Sequence, residues 1–228
     1  MGCSPLLKDT WKMQMRVALV EDDAFTRLTL ASSLRAQGIQ IVIETGSASE
    51  ALQEFSSARP HVALLDLHLG KGPTGIDLAT AFRAQSPDIG IVFLSSFEDP
   101  RMLQPNLPPI PNRSIYLHKN DVSDIWNILE SLKISIDKTL RHVPKLRSPK
   151  SSIAILSDVQ LETLRLMSQG LTNSEIAKRR SVTEKSVEVA IARLAKGLGI
   201  EKNSSINQRV HMANVYFRSL GQLKNAEE

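Results

Sequence analysis

Five short apolar runs in the first half of the chain constrain its fold more than any other feature. Between them lie stretches with helical spacing of apolar residues, such as AFTRLTLASSLRAQG, which ends at Gly38 as a helix C-cap would. Strands that alternate with helices form a parallel sheet covered on both faces. The sequence therefore predicts a doubly wound α/β domain with five strands, at Val17–Val20, Ile39–Ile43, Val62–Leu65, Ile89–Leu94 and Ile115–Leu117.

The second half has no strand pattern and carries signals for four helices. SDVQ at 157–160 and TNSE at 172–175 are each typical of a capping box. Thr183 can cap a third helix, and a fourth spans roughly 205–220. Two short helices joined by a turn at 180–182 predict a small all-α domain containing a helix-turn-helix.

The two halves differ in charge. Residues 1–125 carry 11 Lys and Arg against 14 Asp and Glu, whereas residues 126–228 carry 17 against 10. A basic second half favours a polyanionic partner there, although an ordinary solvated basic surface would give the same balance. A basic segment broken by prolines predicts a linker at 139–152, between domains at 15–138 and 153–222.

The sequence favours a cytoplasmic protein that does not enter a membrane. No apolar run is long enough to span a bilayer, and the first residues lack the apolar core of a secretion signal. The single cysteine, Cys3, cannot form an internal disulfide, which fits a reducing compartment.

Acidic residues follow two of the predicted strands where each strand ends. EDD at 21–23 follows the first strand, and Asp66 follows the third. If these strands are neighbours, the carboxylates converge and need a compensating charge, for which Mg²⁺ is the natural partner. Ser95 and Lys119 follow the fourth and fifth strands. Each residue alone has an ordinary interpretation as a cap, turn or exposed strand end, but together they indicate phosphoryl transfer.

Residues 15–138 resemble the receiver domain of two-component response regulators. The matching stretches are VEDD at 20–23, LLDLHL at 64–69, LSS at 94–96 and YLHK at 116–119. The resemblance implies a five-stranded sheet with the flavodoxin-like strand order.

The same resemblance implies a role for each residue at this edge. Asp66 would accept the phosphoryl group from the phosphohistidine of a sensor histidine kinase. Glu21 and Asp22 would hold Mg²⁺ together with Asp66 and the backbone carbonyl of His68. The residues expected to bind or follow the phosphoryl group are Ser95, Tyr116 and Lys119.

The chain departs from the receiver pattern in two places. Gly70 stands where the family has proline, and the loop glycine, Gly75, comes one position later than usual. The larger departure is MLQPNLPPIPNRS at 102–114, where the family has its fourth helix. Proline removes a donor and clashes inside a helix. We therefore expect that helix to be shortened or replaced by a proline-rich loop.

Residues 153–215 resemble the LuxR-type helix-turn-helix of the NarL/FixJ response regulators, most specifically in GLTNSEIA at 170–177. One stripe of the third helix should pack inward, namely Val187, Ile191, Leu194 and Leu198. The other side would enter the DNA major groove, and it carries Lys185, Glu188, Val189, Ala192, Arg193 and Lys196. Phosphate contacts are expected from Lys178, Arg179, Arg180 and Lys185.

Two residues of the third helix differ from the LuxR pattern. Glu188 stands where the family usually has a basic residue, and Ala190 where it has histidine. The DNA sequence preference of relatives therefore does not carry over. The fourth helix would pair two subunits on a two-fold symmetric promoter site.

The sequence thus predicts a homodimeric DNA-binding response regulator. Phosphorylation of Asp66 would switch dimerisation and transcriptional control. One alternative is a phosphorylation-independent DNA-binding regulator whose receiver serves only for dimerisation, and another is a helix-turn-helix kept for protein contacts. A phosphatase is disfavoured, because such enzymes need a second acid where this chain has His68, so we expect no enzyme activity on an external substrate.

Overall fold

The computed structural model describes residues 15–104, 107–137, 153–201 and 205–220. By their mutual contacts, the residues divide into two units. The first contains residues up to 95 together with 108–147, and the second contains 96–107 and everything from 148 onward. The predicted linker at 139–152 and the last two residues of the predicted second domain lie outside the described residues. The domain boundaries given above therefore stay predictions.

The first unit is built on a five-stranded parallel sheet. Its order is β2-β1-β3-β4-β5, so the flavodoxin-like order is confirmed. The strands are β1 Arg16–Val20, β2 Gln40–Thr45, β3 Val62–Leu65, β4 Gly90–Ser95 and β5 Ser114–His118. The helices of this unit are α1 Ala24–Ala36, α2 Ala48–Ala58, α3 Gly75–Gln85 and α4 Ile125–Ile136.

The central strands form the core because both of their faces are covered. Every residue of β3 and β4 is buried, as continuous apolar runs in a parallel sheet require. Alternate residues such as Val17 and Leu19 form one cluster with Leu34 of α1 and Leu132 of α4. Between α2 and α3, the rings of Phe55 and Phe82 stack with their centroids 4.2 Å apart.

The segment between β4 and β5 contains no α-helix among its described residues. A single 3₁₀ turn, Pro100–Met102, is present, and Asp99 caps it by accepting from the Arg101 amide at 2.9 Å. The expected loss of the helix is confirmed over these residues. Pro105 lies outside them, whereas Pro108, Pro109 and Pro111 lie in irregular backbone before β5.

The second unit contains the four predicted helices. They are α5 Asp158–Ser168, α6 Asn173–Arg180, α7 Glu184–Gly197 and α8 Gln208–Ser219. The first predicted capping box forms in both directions, between Ser157 and Gln160. At α6 only the Thr172 side chain caps, since the carboxylate of Glu175 pairs with Lys178 at 2.8 Å. Within the described residues, no helix is long and apolar enough to cross a membrane.

The stacked phenylalanines generate a stability prediction. Phe82 is fully buried, so Phe82→Ala should leave a cavity and lower the free energy of unfolding by about 3–5 kcal/mol. Phe25 is 79% exposed, and Phe25→Ala should change stability by less than about 0.5 kcal/mol. Urea denaturation of both full-length variants measures the difference. Equal losses would contradict the described packing.

Candidate functional site

The sheet brings the predicted acids together at one edge. β1 and β3 are hydrogen-bonded neighbours, and Val20 lies level with Leu65. Glu21 and Asp66 are the next residues of the two strands, and the Asp66 amide donates to the Val20 carbonyl at 2.8 Å. The two carboxylates therefore leave the core side by side, as the sequence predicts.

Lys119 lies between these two carboxylates. Its Nζ is 2.8 and 2.9 Å from the two carboxylate oxygens of Glu21, and 3.1 Å from Oδ2 of Asp66. The side chains of Glu21 and Asp66 are almost completely buried, and that of Lys119 is 22% exposed. The structure thus confirms that residues after three different strands converge on one ion cluster.

Burial controls the ionisation of the cluster. It raises the pKa of Glu21 to about 7, the charge of Asp66 adds to this rise, and Lys119 opposes it. Burial lowers the pKa of Lys119, but the carboxylates of Asp66 and Glu21 outweigh it and hold the pKa above its ordinary value. The lysine therefore stays charged, and the acids are left with more negative charge than it can balance.

The acids have the arrangement that a divalent cation needs. Glu21, Asp22 and Asp66 can each offer an oxygen within 4.8 Å of those of the others. The Asp22 side chain is 34% exposed, so an ion can reach it from solvent. Carboxylate oxygens are the ligands that Mg²⁺ prefers. His68 lies beside them, with Nδ1 3.5 Å from Oδ2 of Asp22, while the role of its backbone carbonyl stays a prediction.

Asp23, the third acid after β1, caps a helix. The side chain of Asp23 accepts from the Thr26 amide at 2.8 Å and caps α1, which is the ordinary interpretation of an acid before a helix. Sequence reasoning missed Arg27, whose guanidinium donates to the backbone carbonyls of Glu21 and Asp22. An arginine on the first turns of a helix carries no sequence signal for this contact.

Glycines shape the loop that follows Asp66. Gly70 has a φ of +73°, which proline cannot adopt, so glycine here changes the path of the chain. A Cβ on Gly75 would lie 2.0 Å from the carbonyl oxygen of Asp66. Only glycine lets the start of α3 approach Asp66 so closely.

Ser95 and Tyr116 lie on the two strands beyond β3. Ser95 is completely buried and ends β4, the strand next to β3. Tyr116 lies level with Phe93 in β5, and the two ring centroids are 6.5 Å apart. Both residues are near the edge that carries Asp66, and their response to a phosphoryl group stays a prediction.

The outer face of α7 is exposed, as predicted. Val187, Ile191 and Leu194 are buried and Leu198 is partly buried, so the inward stripe is confirmed. The residues expected to face DNA are all exposed, namely Lys185, Glu188, Val189, Ala192, Arg193 and Lys196. Two of them form an ion pair, with Lys185 Nζ 2.9 Å from Oε2 of Glu188.

The basic residues of α6 differ in their surroundings. Lys178 and Arg179 are exposed, whereas Arg180 is half-buried and donates from Nη1 to the hydroxyl of buried Thr163 at 2.7 Å. Beside Arg180 a shallow cavity of about 390 Å³ opens on the outer face of α7. It is lined by Val159, Arg180, Val182, Lys185, Ser186, Val189, Ala190 and Arg193. Basic and apolar groups thus share this surface.

Comparison with known proteins identifies the family. Residues 17–109 match the response regulator receiver domain, and residues 154–213 match the bacterial regulatory proteins of the luxR family. The DNA-binding transcriptional activator DevR/DosR of Mycobacterium tuberculosis H37Rv is 31% identical over 201 residues, which cover 83% of this chain and 91% of that protein. The chain belongs to the luxR-family response regulators.

Other response regulators are similar over the same extent. VraR of Staphylococcus aureus (strain Mu3) is 23% identical, over 83% of this chain and 92% of that protein. The structure of the response regulator RcsB in complex with DNA aligns with a TM-score of 0.55 and 20% identity, over 92% of this chain and 99% of that chain. The likeness to RcsB supports the fold of this response regulator.

The ion cluster generates a prediction for Lys119→Met. Removing the lysine leaves buried carboxylates without their counter-charge, which should cost about 3 kcal/mol of unfolding free energy in the presence of EDTA. Millimolar Mg²⁺ should recover part of this loss, because a cation held by the same carboxylates would replace the missing positive charge. Thermal unfolding with and without Mg²⁺ measures both effects. Lys71→Met, at an exposed lysine, is the control, and equal behaviour of the two variants would contradict the role of the cluster.

Proposed function

We propose that this response regulator controls transcription by binding DNA, and that phosphoryl transfer to Asp66 switches it. The observation that carries the proposal is Lys119 held between Glu21 and Asp66. A carboxylate, a fixed cation and an acidic pair at one sheet edge are the parts that phosphoryl transfer needs. The same chain carries a helix-turn-helix whose exposed face combines basic and apolar residues.

In the proposed reaction, a carboxylate oxygen of Asp66 attacks the phosphorus of a kinase phosphohistidine. The new O–P bond forms as the N–P bond breaks, and the imidazole leaves. Lys119 is already 3.1 Å from Asp66 and can pair with the arriving phosphoryl oxygens. Mg²⁺ held by Glu21, Asp22, Asp66 and the His68 carbonyl would neutralise charge on the transferring group.

The phosphorylated state would differ from the resting state in charge and in hydrogen bonding. The phosphoryl dianion adds strong acceptors, which would draw the hydroxyl of Ser95 and the ammonium of Lys119 toward it. Tyr116 would move with Ser95, and the sheet edge would shift between two populations.

In the DNA-binding step, α7 would lie in the major groove. Lys178, Arg179, Arg180 and Lys185 would contact phosphates, which makes the affinity salt-dependent. Two apolar residues are exposed here: Ile206 lies just before α8, and Val210 lies within it. They support a role for α8 in pairing subunits on a two-fold site. Such a protein works in the cytoplasm, where a sensor kinase and the chromosome are both within reach.

A second candidate is a DNA-binding regulator that does not depend on phosphorylation and uses its receiver only to dimerise. The observation that favours it is the absence of an α-helix among the described residues between β4 and β5, since receivers commonly signal through that helix. The intact cluster of Glu21, Asp66 and Lys119 favours the phosphorylated mechanism.

The first test is phosphorylation of the full chain by acetyl phosphate with Mg²⁺. Mass spectrometry should detect the addition of one phosphoryl group to the wild-type chain, and none to Asp66→Asn. In cells, Asp66→Asn should lose the response to signal. An Asp66→Asn protein that is phosphorylated as the wild type is would contradict Asp66 as the acceptor. An Asp66→Asn protein that binds its promoter normally and still responds to signal would contradict the phosphorylation switch and favour the second candidate.

The second test concerns Glu188. Its carboxylate repels phosphates and holds Lys185. Glu188→Gln should therefore tighten binding to a duplex of random sequence. The plot of log affinity against log salt concentration should also become steeper, by about one released counterion. Fluorescence anisotropy over a salt series measures both. Glu130→Gln makes the same charge change on α4 and should leave the slope unchanged. If the Glu188→Gln variant shows the same salt dependence of DNA affinity as the wild type, α7 does not lie close to the DNA phosphates.

A further inference from the structure

Residues 96–104 follow Ser95 directly, and we call this segment the 96–104 strap. Its contacts place it in the second unit, with α5 to α8. Its regular structure is limited to the 3₁₀ turn at Pro100–Met102. The prolines after the strap predict the loss of a helix, but they do not predict that the segment joins the core of the DNA-binding unit.

Arg101 fastens the strap to the start of α5. Its guanidinium donates from Nε and Nη2 to the two carboxylate oxygens of Asp99, at 3.0 and 2.9 Å. Its Nη1 donates to the Leu156 carbonyl at 2.9 Å and to the Asp158 carboxylate at 2.8 Å. Asp99 is buried, so the guanidinium is held in one orientation by a bidentate pair.

Three further contacts tie the strap to the same unit. Met102 is 3% exposed and belongs to the hydrophobic cluster that the helices of this unit form. Arg165 donates to the backbone carbonyl of Arg101 at 2.9 Å. The Glu98 amide donates to the carbonyl of Ser219, near the end of α8, at 3.2 Å. The strap therefore holds both α5 and the helix proposed to pair subunits.

We propose that the 96–104 strap is the output element of this response regulator: it carries a displacement of Ser95 to α5 and α8. The inference rests on the proposed phosphorylation of Asp66. Ser95 is buried at the sheet edge that would receive the phosphoryl group, and Arg101 is six residues further along the chain. Arg101 lies in the 3₁₀ turn Pro100–Met102, which is restrained because Pro100 fixes its own φ and Asp99 caps the turn.

A short segment attached at both ends can couple the two sites that it joins. Two sites influence each other when both bias one element that has discrete arrangements. Movement of Ser95 toward a phosphoryl group would pull on the peptide bond to Ser96. The strap can then either keep its contacts with Arg165 and Ser219 and move α5 and α8, or release them.

The test compares DNA binding with and without beryllofluoride and Mg²⁺, using a labelled duplex recovered by in vitro selection with the full chain. The wild-type affinity should change by about tenfold, a usual size for coupling between sites. In Arg101→Ala the change should fall to less than about twofold, while beryllofluoride still binds Asp66. Arg35→Ala removes an exposed arginine whose ion pair with Glu44 lies in the first unit, and it should respond as the wild type does.

Hydrogen exchange supplies a readout that does not depend on DNA. In the wild type, beryllofluoride should change exchange at the Met102 and Leu103 amides and at the start of α5. In Arg101→Ala, beryllofluoride should no longer change hydrogen exchange at the start of α5. An Arg101→Ala protein with the wild-type response in both measurements overturns the strap as the route and leaves phosphorylation intact. A wild-type chain that binds beryllofluoride without any change in DNA affinity overturns the phosphorylation switch and, with it, this inference.

Discussion

The ion cluster of Glu21, Asp66 and Lys119 is the interaction on which the rest of the first unit depends. Two buried carboxylates can leave the core side by side only because an ammonium lies between them. Lys119 is 98 residues from Glu21, so the contact exists only when β1, β3 and β5 are all in place. The ion cluster therefore forms only in the folded sheet.

The parts of this molecule that sequence predicts well are those set by short-range periodicity and by the rule for parallel sheets. The apolar runs gave the strands because both faces of the sheet are covered. The carboxyl ends of neighbouring strands share an edge, so Asp66 was expected beside Glu21. The outer face of α7 followed from helical spacing, since Val187 and Leu194 must face inward.

The parts that sequence does not predict depend on contacts between distant residues. Apart from the family resemblance, nothing in EDD distinguishes Asp22, which lies with Glu21 and Asp66 where a cation could bind, from Asp23, which caps α1. Only glycine fits where Gly75 approaches Asp66, but the loop path that brings the two residues together does not follow from the sequence pattern. The attachment of Met102 to the second unit cannot be predicted for the same reason, because a methionine in an irregular segment has no preference for one apolar partner over another.

The division of the chain into units has a consequence for how the protein is made. Residues 96–107 belong to the second unit, yet β5, which completes the sheet, is synthesised after them. The two units are thus interleaved, and the ribosome releases Met102 well before the helices that will bury it. The helices α5 to α8 must therefore pack against Met102, which is synthesised between β4 and β5 of the first unit. A fragment starting at Ile153 would carry all four of these helices but lack one of the side chains of their core.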